Sequence, residues 1–334
     1  MQDHTGDAQQ EAAEAARWRV DALTAAEVPQ MRELFQQVFG HALSEAAWHW
    51  KYADGHGGAS AVWEADGRMV AHYAGFPRAA RMYGKAVVAM QVGDVMVHPD
   101  ARGTLSRKGP LYLSTTHFLE RSVGYGKQAV LSYGFPNVRA MRVAERLGLY
   151  AACGKMVALT WAADSTKLPW WLAIEPVDVA RPGWERRVDR IWAAMDRGFA
   201  DSVICVRDGA WIKRRFVDKP EAQYSLHWLR HRLSPFPFAL VVTKRTGEQL
   251  EWLDIVAAPN DWAYCRQAIG HLAAEQGLVG AFMWISAGFA PRLREGARET
   301  DLGIALPTSA CTHGPTADEL RDRWFLTGGD TDFL

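Results

Sequence analysis

The sequence predicts an α/β fold with a mixed sheet (α+β in its layering), built twice along the chain. The first observation is the segment from Gln91 to Leu149, which reads as an apolar strand, a basic glycine-containing turn, a helix, a short strand and a helix. The second is the strand and helix patterning that precedes it, from residue 18 onward. The third is an internal repeat, because Trp252-Leu-Asp-Ile-Val echoes Val92-Gly-Asp-Val-Met and is again followed by a proline.

The amino-acid composition excludes several classes of function. Of 334 residues, 49% are hydrophobic and 23% are charged, as in ordinary globular proteins, and the net charge of +0 argues against a broad nucleic-acid surface. No apolar run reaches the length of a membrane span. The four cysteines lack Cys-x-x-Cys spacing, which predicts reduced thiols and neither a zinc site nor a disulfide framework. We therefore expect a cytoplasmic monomer or homodimer with no metal and no nucleic-acid or membrane partner.

The first half follows a polar tail at residues 1–16. Thr24 with Glu27 three residues later is a capping box that begins a helix, and Asp66-Gly67 between two apolar runs indicates a hairpin. The predicted elements are a strand at 18–23, a helix to Gly40, a helix from Ser44, strands at 59–64, 69–76 and 87–97, a helix from Pro110, a strand at 129–133, a helix from Asn137 and a strand at 150–161.

The second half begins after a stretch rich in Pro and Trp, residues 162–183, which reads as a linker. The predicted elements are helices at 184–199 and 208–216, strands at 224–229, 238–244 and 250–257, a helix at 260–276 and a strand at 279–285. We therefore expect two domains, residues 17–161 and residues 184–334.

The turn from Asp100 to Gly109 is basic and precedes a helix. A helix N-terminus after such a turn binds anions well, because its unpaired N–H groups and its dipole both favour phosphate. Arg102, Arg107 and Lys108 would add charge-assisted contacts. The alternative is an ordinary solvated loop.

VGDVMVHPDARG and FPNVRAMRVAERLGL resemble the two signature segments of GCN5-related N-acetyltransferases (GNAT). The resemblance implies the acyl-CoA N-acyltransferase fold, acetyl-CoA as co-substrate and transfer of acetyl to an amine. It places Met96 and Val97 beside the thioester carbonyl and Asn137 beside the pantetheine arm. The residues that it implies at the pyrophosphate are Arg102, Gly103, Thr104, Arg107, Lys108 and Gly109.

The sequence departs from the family pattern at two places. The first glycine of the usual turn would fall on Leu105, so that Gly109 comes late, and the tyrosine that protonates the leaving thiolate is replaced by Ala144. Tyr133, at the end of the strand at 129–133, is our candidate for the acid that protonates the thiolate in place of the missing tyrosine. The alternative is a tyrosine packed in the core.

Asp94 is the candidate base, since a carboxylate on the thioester strand would accept the ammonium proton directly or through water. The alternative is that Asp94 faces the other side of the sheet and pairs with an arginine. Its recurrence as Asp254 favours that alternative, because the second copy has no basic turn after Pro259. We therefore expect tandem GNAT-like domains, of which the second is degenerate and does not bind CoA.

The motifs Trp-x-Trp-Lys-Tyr, Gly-Phe-Pro-Asn and Trp-Phe-Leu-Thr-Gly-Gly-Asp-Thr-Asp are similar to those of acetyltransferases from cell-surface polysaccharide and amino-sugar gene sets. The expected function is N-acetyl transfer to a primary amine of a small molecule, with an amino sugar as one acceptor class. The alternatives are a catalytically degenerate protein that binds a ligand or partner, and transfer of a longer acyl group. Asp330 and Asp332 either reach the acceptor or belong to a frayed acidic tail.

Overall fold

The computed structural model describes residues 17–53, 57–103, 106–165, 167–221 and 223–331, and the chain forms two compact units. Unit 1 consists of Met1–Pro77, Val88–Ala151 and Pro307–Ala317. Unit 2 consists of Arg78–Val87, Ala152–Leu306 and Asp318–Leu334. Each unit is therefore assembled from segments that are distant in the sequence.

Unit 1 contains a sheet with the strand order β1-β2-β3-β4-β5. The first two pairs are antiparallel, whereas β4 and β5 are parallel. The strands are β1 (Arg19–Ala22), β2 (Gly58–Trp63), β3 (Met69–Met82), β4 (Lys85–Val97) and β5 (Leu131–Tyr133), of which β3 and β4 continue into unit 2.

Two helix boundaries of unit 1 lie at signals that the sequence predicts, whereas the capping box of Thr24 begins a 3-10 turn (Ala25–Glu27) that precedes the first α-helix. The first helix ends at Gly40, whose left-handed φ of 79° is readily adopted by glycine. The side chain of Ser44 accepts a hydrogen bond from the N–H of Ala47 at the start of the second. The helices are α1 (Val28–Phe39), α2 (Glu45–Tyr52), α3 (Pro110–Ser122) and α4 (Val138–Arg146).

Unit 2 contains a second sheet with the strand order β13-β6-β12-β11-β10-β9-β7, in which β11 and β12 are parallel. Strand β8 pairs with the distal end of β3 and with β14. The elements are β6 (Tyr150–Ala162), β7 (Leu172–Pro176), α5 (Trp184–Arg197), β8 (Val203–Cys205), α6 (Gly209–Ile212), β9 (Ser225–His231), β10 (Pro237–Thr246), β11 (Gln249–Ala257), α7 (Trp262–Glu275), β12 (Gly280–Ser286), β13 (Arg298–Ser309), α8 (Ala317–Leu320) and β14 (Trp324–Phe325).

The core of unit 2 explains much of the tryptophan content. Val188, Ile191 and Met195 form the buried face of α5 that the helical spacing predicts. They join one apolar cluster with Trp252 and Trp262, both of which are almost fully buried. Burial of each large apolar side chain contributes about 1.5–3 kcal/mol, so this cluster dominates the stability of the unit.

The predicted domain boundaries differ from those of the compact units. Strand β6, which we assigned to the first domain, pairs over Met156–Ala162 with β12 of the second sheet. The predicted linker contains β7, which pairs with β9. Local patterns identify a strand but do not show which sheet it joins, because that choice depends on distant residues. The tail at residues 1–16 lies outside the described residues.

Within the described ranges, no helix is long and apolar enough to cross a membrane.

Candidate active site

The parallel strands β4 and β5 of unit 1 pair over only three residues, because β5 is the shorter strand. Their pairing runs from Ala89 opposite Leu131 to Gln91 opposite Tyr133. Strand β5 ends at Tyr133, whereas β4 continues to Val97. No other described strand pairs with this side of β4. A stretch of backbone in β4 is thereby left to form hydrogen bonds with a ligand.

Strand β4 contains a local distortion at Asp94, which has a φ of 48°. Aspartate and asparagine enter this left-handed region more readily than other residues with a side chain, at a cost of roughly 1–2 kcal/mol. Such backbone strain persists only where surrounding contacts fix it, and it is concentrated at functional sites.

Two residues from the end of α2 hold the carboxylate of Asp94. The Nζ atom of Lys51 lies 2.8 Å and 3.1 Å from its two oxygens, and the hydroxyl of Tyr52 donates to Oδ2 at 2.6 Å. The side chains of Lys51 and Asp94 are only 11% and 7% exposed. Asp94 is thus paired with a lysine and a tyrosine, not with the arginine that our alternative interpretation required.

His72 on β3 holds the backbone at the same position. Its Nδ1 lies 2.7 Å from the carbonyl oxygen of Asp94, and because a carbonyl only accepts, Nδ1 carries the proton. Burial lowers the pKa of this fully buried imidazole, which favours its neutral form. Nε2 is then an acceptor, buried and without a hydrogen-bond partner among the described residues. His72 and Lys51 were missed in the sequence, where neither stands in a recognisable motif of acid–base catalysis.

The predicted phosphate turn leads from β4 into α3. The side chain of Arg102 donates from Nε to the carbonyl of Val97 at 3.0 Å. The N–H of Gly109 donates to the carbonyl of Ser106 at 3.0 Å, and the N–H of Lys108 donates to Oγ of Ser106 at 3.2 Å. Gly103 and Arg107 are exposed, and Thr104 lies outside the described residues.

A helix follows each of these two strands, α3 after β4 and α4 after β5. Gly109 is the N-cap of α3 and Pro110 its first residue, so the next N–H groups of the first turn belong to Leu111 and Tyr112. Asn137 is the N-cap of α4, where its Oδ1 accepts from the N–H of Ala140 at 2.9 Å. Because β4 and β5 are parallel, both helices start at the same edge of the sheet, and both present the positive end of a dipole there.

Residues 19–152 match the model of an acetyltransferase (GNAT) domain. The match covers less than half of the chain, and it includes β4 and β5, the basic turn and Asn137. The full sequence has no significant match among curated proteins.

Solved structures show the same fold over most of the chain. A probable N-acyltransferase from Enterococcus faecalis V583 is 14% identical with a TM-score of 0.68, and the alignment covers 87% of this chain and 71% of that one. A GCN5-related N-acetyltransferase from Anabaena variabilis ATCC 29413 is 14% identical with a TM-score of 0.64, covering 88% and 72%. The glucosamine N-acetyltransferase region of a fungal multi-domain GH3 β-N-acetylglucosaminidase is 14% identical with a TM-score of 0.54, covering 87% and 38%. At these identities the likeness shows the GNAT fold.

Within the GNAT segment, the predicted residues Met96 and Tyr133 are buried, whereas Val97 is half-buried. The side chain of Met96 packs in the core with Met31 and Trp63. Tyr133 is fully buried, and its hydroxyl donates to Oε1 of Gln91 at 3.2 Å. Ala144, at the position of the usual GNAT tyrosine, packs against other apolar residues in the core of unit 1.

Unit 2 also contains a parallel strand pair of three residues, and a later part of its own chain pairs beyond it. Strands β11 and β12 pair only from Gln249 opposite Gly280 to Glu251 opposite Phe282. Farther along β12, Ile285 forms a bridge with Thr327. We call Leu326–Thr331 the C-terminal segment; its residues are all buried.

The C-terminal segment closes a buried charge network around Asp254. Arg207 donates from Nε to Oδ1 of Asp254 at 2.9 Å and also pairs with Asp330, and Thr327 donates to Oδ1 of Asp254 at 3.0 Å. Burial raises the pKa of Asp254, an effect that Arg207 opposes. The prediction of a frayed tail was therefore wrong for Asp330, because the ion pair with Arg207 fixes it in the core. Asp332 lies outside the described residues.

Among the residues that the structure describes, no three His, Cys, Asp or Glu side chains are grouped as metal ligands.

Proposed function

We propose that this protein transfers the acetyl group of acetyl-CoA to a primary amine of a small molecule. The observation that carries the proposal is the stretch of β4 that continues beyond its pairing with β5 and contains the left-handed residue Asp94. This stretch lies between a strand pair and a helix N-terminus suited to a phosphate. The GNAT match of residues 19–152 supports the same reaction class.

The cofactor would lie along the edge where α3 and α4 begin. Arg102, Lys108 and the N–H groups of the first turn of α3 would bind the pyrophosphate, with Gly103, Thr104, Arg107 and Gly109 shaping the turn. The NH2 group of Asn137 would donate to pantetheine, since its Oδ1 already caps α4. Backbone N–H groups at Met96 and Val97 would polarise the thioester carbonyl and stabilise the oxyanion.

On the acceptor side, the neutral amine attacks the thioester carbon, the C–N bond forms and the C–S bond breaks. Asp94 accepts the proton that the nitrogen loses, directly or through water, while Lys51 and Tyr52 fix its carboxylate. His72 fixes the backbone of the same residue. The CoA thiolate takes up one proton, for which Tyr133 is our candidate donor.

An amino sugar is the acceptor class that we favour. The support is the fold likeness to a region described as a glucosamine N-acetyltransferase, together with the motif resemblance noted above. We further propose that the two halves are tandem GNAT-like copies, that only the first binds CoA, and that the enzyme acts in the cytoplasm. The competing non-catalytic role is favoured by Ala144 and by the engagement of Asp94 with Lys51.

Calorimetric titration with acetyl-CoA tests the proposal. We expect micromolar binding to the wild type and at least tenfold weaker binding to Arg102→Ala/Lys108→Ala, since charge-assisted contacts to phosphate contribute strongly. The matched control is Arg121→Ala/Lys127→Ala, which removes two exposed cations of unit 1 outside the turn. Glucosamine and other amines are then screened for acetylation by mass spectrometry. If the folded wild type does not bind acetyl-CoA, the proposed acetyl transfer is wrong and the non-catalytic role remains.

A further inference from the structure

Unit 2 contains an open cleft on its own surface, far in sequence from the GNAT signature segments. Its volume is about 450 Å³, within the range of roughly 300–1,000 Å³ of small-molecule sites. The lining residues are Trp170, Trp171, His231, Arg232, Leu233, Phe238, Asp261 and Tyr264.

The aromatic wall of the cleft is rigid. The ring of Trp171 stacks on His231 with centroids 4.4 Å apart, and Tyr264 meets it edge-on at 4.9 Å. The backbone is fixed as well, because the N–H of Arg232 donates to the carbonyl of Trp171 at 2.7 Å. Edge-to-face and offset-stacked rings at such distances hold each other in place. A ligand therefore meets a preformed surface.

The neighbouring side chains are unusually exposed for apolar residues. Trp170 is 75% exposed and Leu233 is 90% exposed. Exposed apolar residues that are clustered, unlike scattered ones, mark binding sites. Trp170 in particular offers a flat face at the mouth of the cleft.

The charges in the cleft select the chemistry of its ligand. Asp261 and Arg232 have opposite signs and line the same space. A ligand with charge of a single sign would be repelled by one of them, and a purely apolar ligand would remove both from water without hydrogen bonds, which is costly. A neutral molecule with an apolar face and hydroxyl groups satisfies both, since a hydroxyl donates to a carboxylate and accepts from a guanidinium.

We propose that the aromatic cleft of unit 2 binds a neutral saccharide, whose ring stacks on Trp170 and whose hydroxyl groups bond to Asp261 and Arg232. Its lining residues belong to unit 2, whereas the residues of the proposed acetyl-transfer site belong to unit 1. The cleft would hold a glycan, or a sugar unit of one, independently of acetyl-CoA.

The test uses the full chain without acetyl-CoA and three neutral trisaccharides, namely the β-1,4-linked trimer of N-acetylglucosamine, cellotriose and maltotriose. Their lack of a free amine separates this site from that of an acetyl acceptor. Calorimetry and saturation-transfer NMR are expected to show binding of at least one, weakened about tenfold by Trp170→Ala. Asp261→Asn is expected to weaken the binding of the same saccharide. Tyr125→Ala, which removes a ring that is 49% exposed in unit 1, is the matched control.

Two outcomes would overturn the proposal. One is that none of the trisaccharides binds at millimolar concentration, or that Trp170→Ala and Asp261→Asn bind as tightly as the wild type. The other is that the protein binds no saccharide but sediments with phosphatidylglycerol vesicles, and that Trp170→Ala abolishes this sedimentation. That result would make the exposed aromatic patch a lipid-binding surface.

Discussion

Asp94 in β4 and Asp254 in β11 occupy equivalent places in the two units. Each strand leads into a short 3-10 turn that begins with proline, then a helix, and then a parallel strand that pairs with it over three residues. Asp94 has a left-handed backbone and is held by the end of α2. Asp254 is fully buried and is held by Arg207 and the C-terminal segment.

The surroundings of the two aspartates differ. In unit 1 the gap beside β4, beyond the end of β5, precedes a basic turn of the kind that suits a phosphate. In unit 2 the turn after Pro259 is not basic, and the corresponding gap receives Thr327 and its neighbours. The aspartate that is a candidate base in one unit is thereby part of the structural core in the other.

The largest effect is expected from Arg207→Met. The change leaves Asp254 buried without its cation and leaves Asp330 only its longer ion pair with Arg78, at 3.7 Å. Breaking a buried pair in this way costs about 3–5 kcal/mol. Urea unfolding, followed by circular dichroism and by tryptophan fluorescence, measures the loss. Lys51→Met is the matched change in unit 1, with an expected loss of about 1–3 kcal/mol because water still reaches that pair. An equal loss in both would remove the distinction between the two aspartates.

Asp94→Asn tests the comparison through activity. Asparagine tolerates the left-handed backbone, so the change removes the negative charge and the ion pair with Lys51 while it keeps the shape of the side chain. Once an acceptor amine is found, we expect kcat/KM to fall about 100-fold, as for loss of a general base, with the affinity for acetyl-CoA unchanged. Asp254→Asn is the matched variant, and the fraction that folds is expected to keep wild-type activity. Full activity in Asp94→Asn would assign Asp94 a structural role.

Gly329→Ala tests the closeness of the C-terminal segment to β11. A methyl group on Gly329 would lie 2.8 Å from Cβ of Asp254, so that the segment must shift, at a cost of about 1–3 kcal/mol. Gly154→Ala on β6 is the control, since its added methyl group would meet its nearest neighbour at an ordinary 3.5 Å. The measurement is the melting temperature of each variant, and we expect that of Gly329→Ala to be the lower. Equal melting temperatures would mean that the gap in unit 2 is loosely filled.

The smallest effect concerns the pH dependence of stability through His72. Burial lowers the pKa of this side chain in the folded state, whereas the unfolded chain titrates near the ordinary value of 6.5. Its stabilising contribution is therefore complete above pH 6.5 and is lost as the pH falls from there through the lowered folded pKa.

His72→Asn keeps a donor near the position of Nδ1 and removes the titrating group. We expect its unfolding free energy to fall less steeply than that of the wild type between pH 7 and acid. Burial also lowers the pKa of His117 and of His227, but these remain in both proteins and cancel in the difference. Parallel slopes would show that His72 is not the group responsible.

Much of the fold was predictable because its signals are local. Gly40 ends its helix and Asn137 caps its helix as the sequence indicated, since a cap depends only on its neighbours. The pairing of Lys51 with Asp94 spans 43 positions, and the network around Asp254 needs residues from the end of the described chain. No periodicity reports such contacts. The strand within the predicted linker was missed for a related reason, because β7 is short and is fixed by its pairing with β9.

The interleaved composition of the two units bears on how the protein can be dissected. Unit 1 includes Pro307–Ala317, from which the carbonyl of His313 accepts a hydrogen bond from Tyr125 and the N–H of Ala310 donates to Leu149. A gene fragment that stops at residue 161 would encode the whole GNAT match and yet omit these contacts. We expect such a fragment to express poorly, so that recombinant work on the acetyl-CoA site requires the full chain.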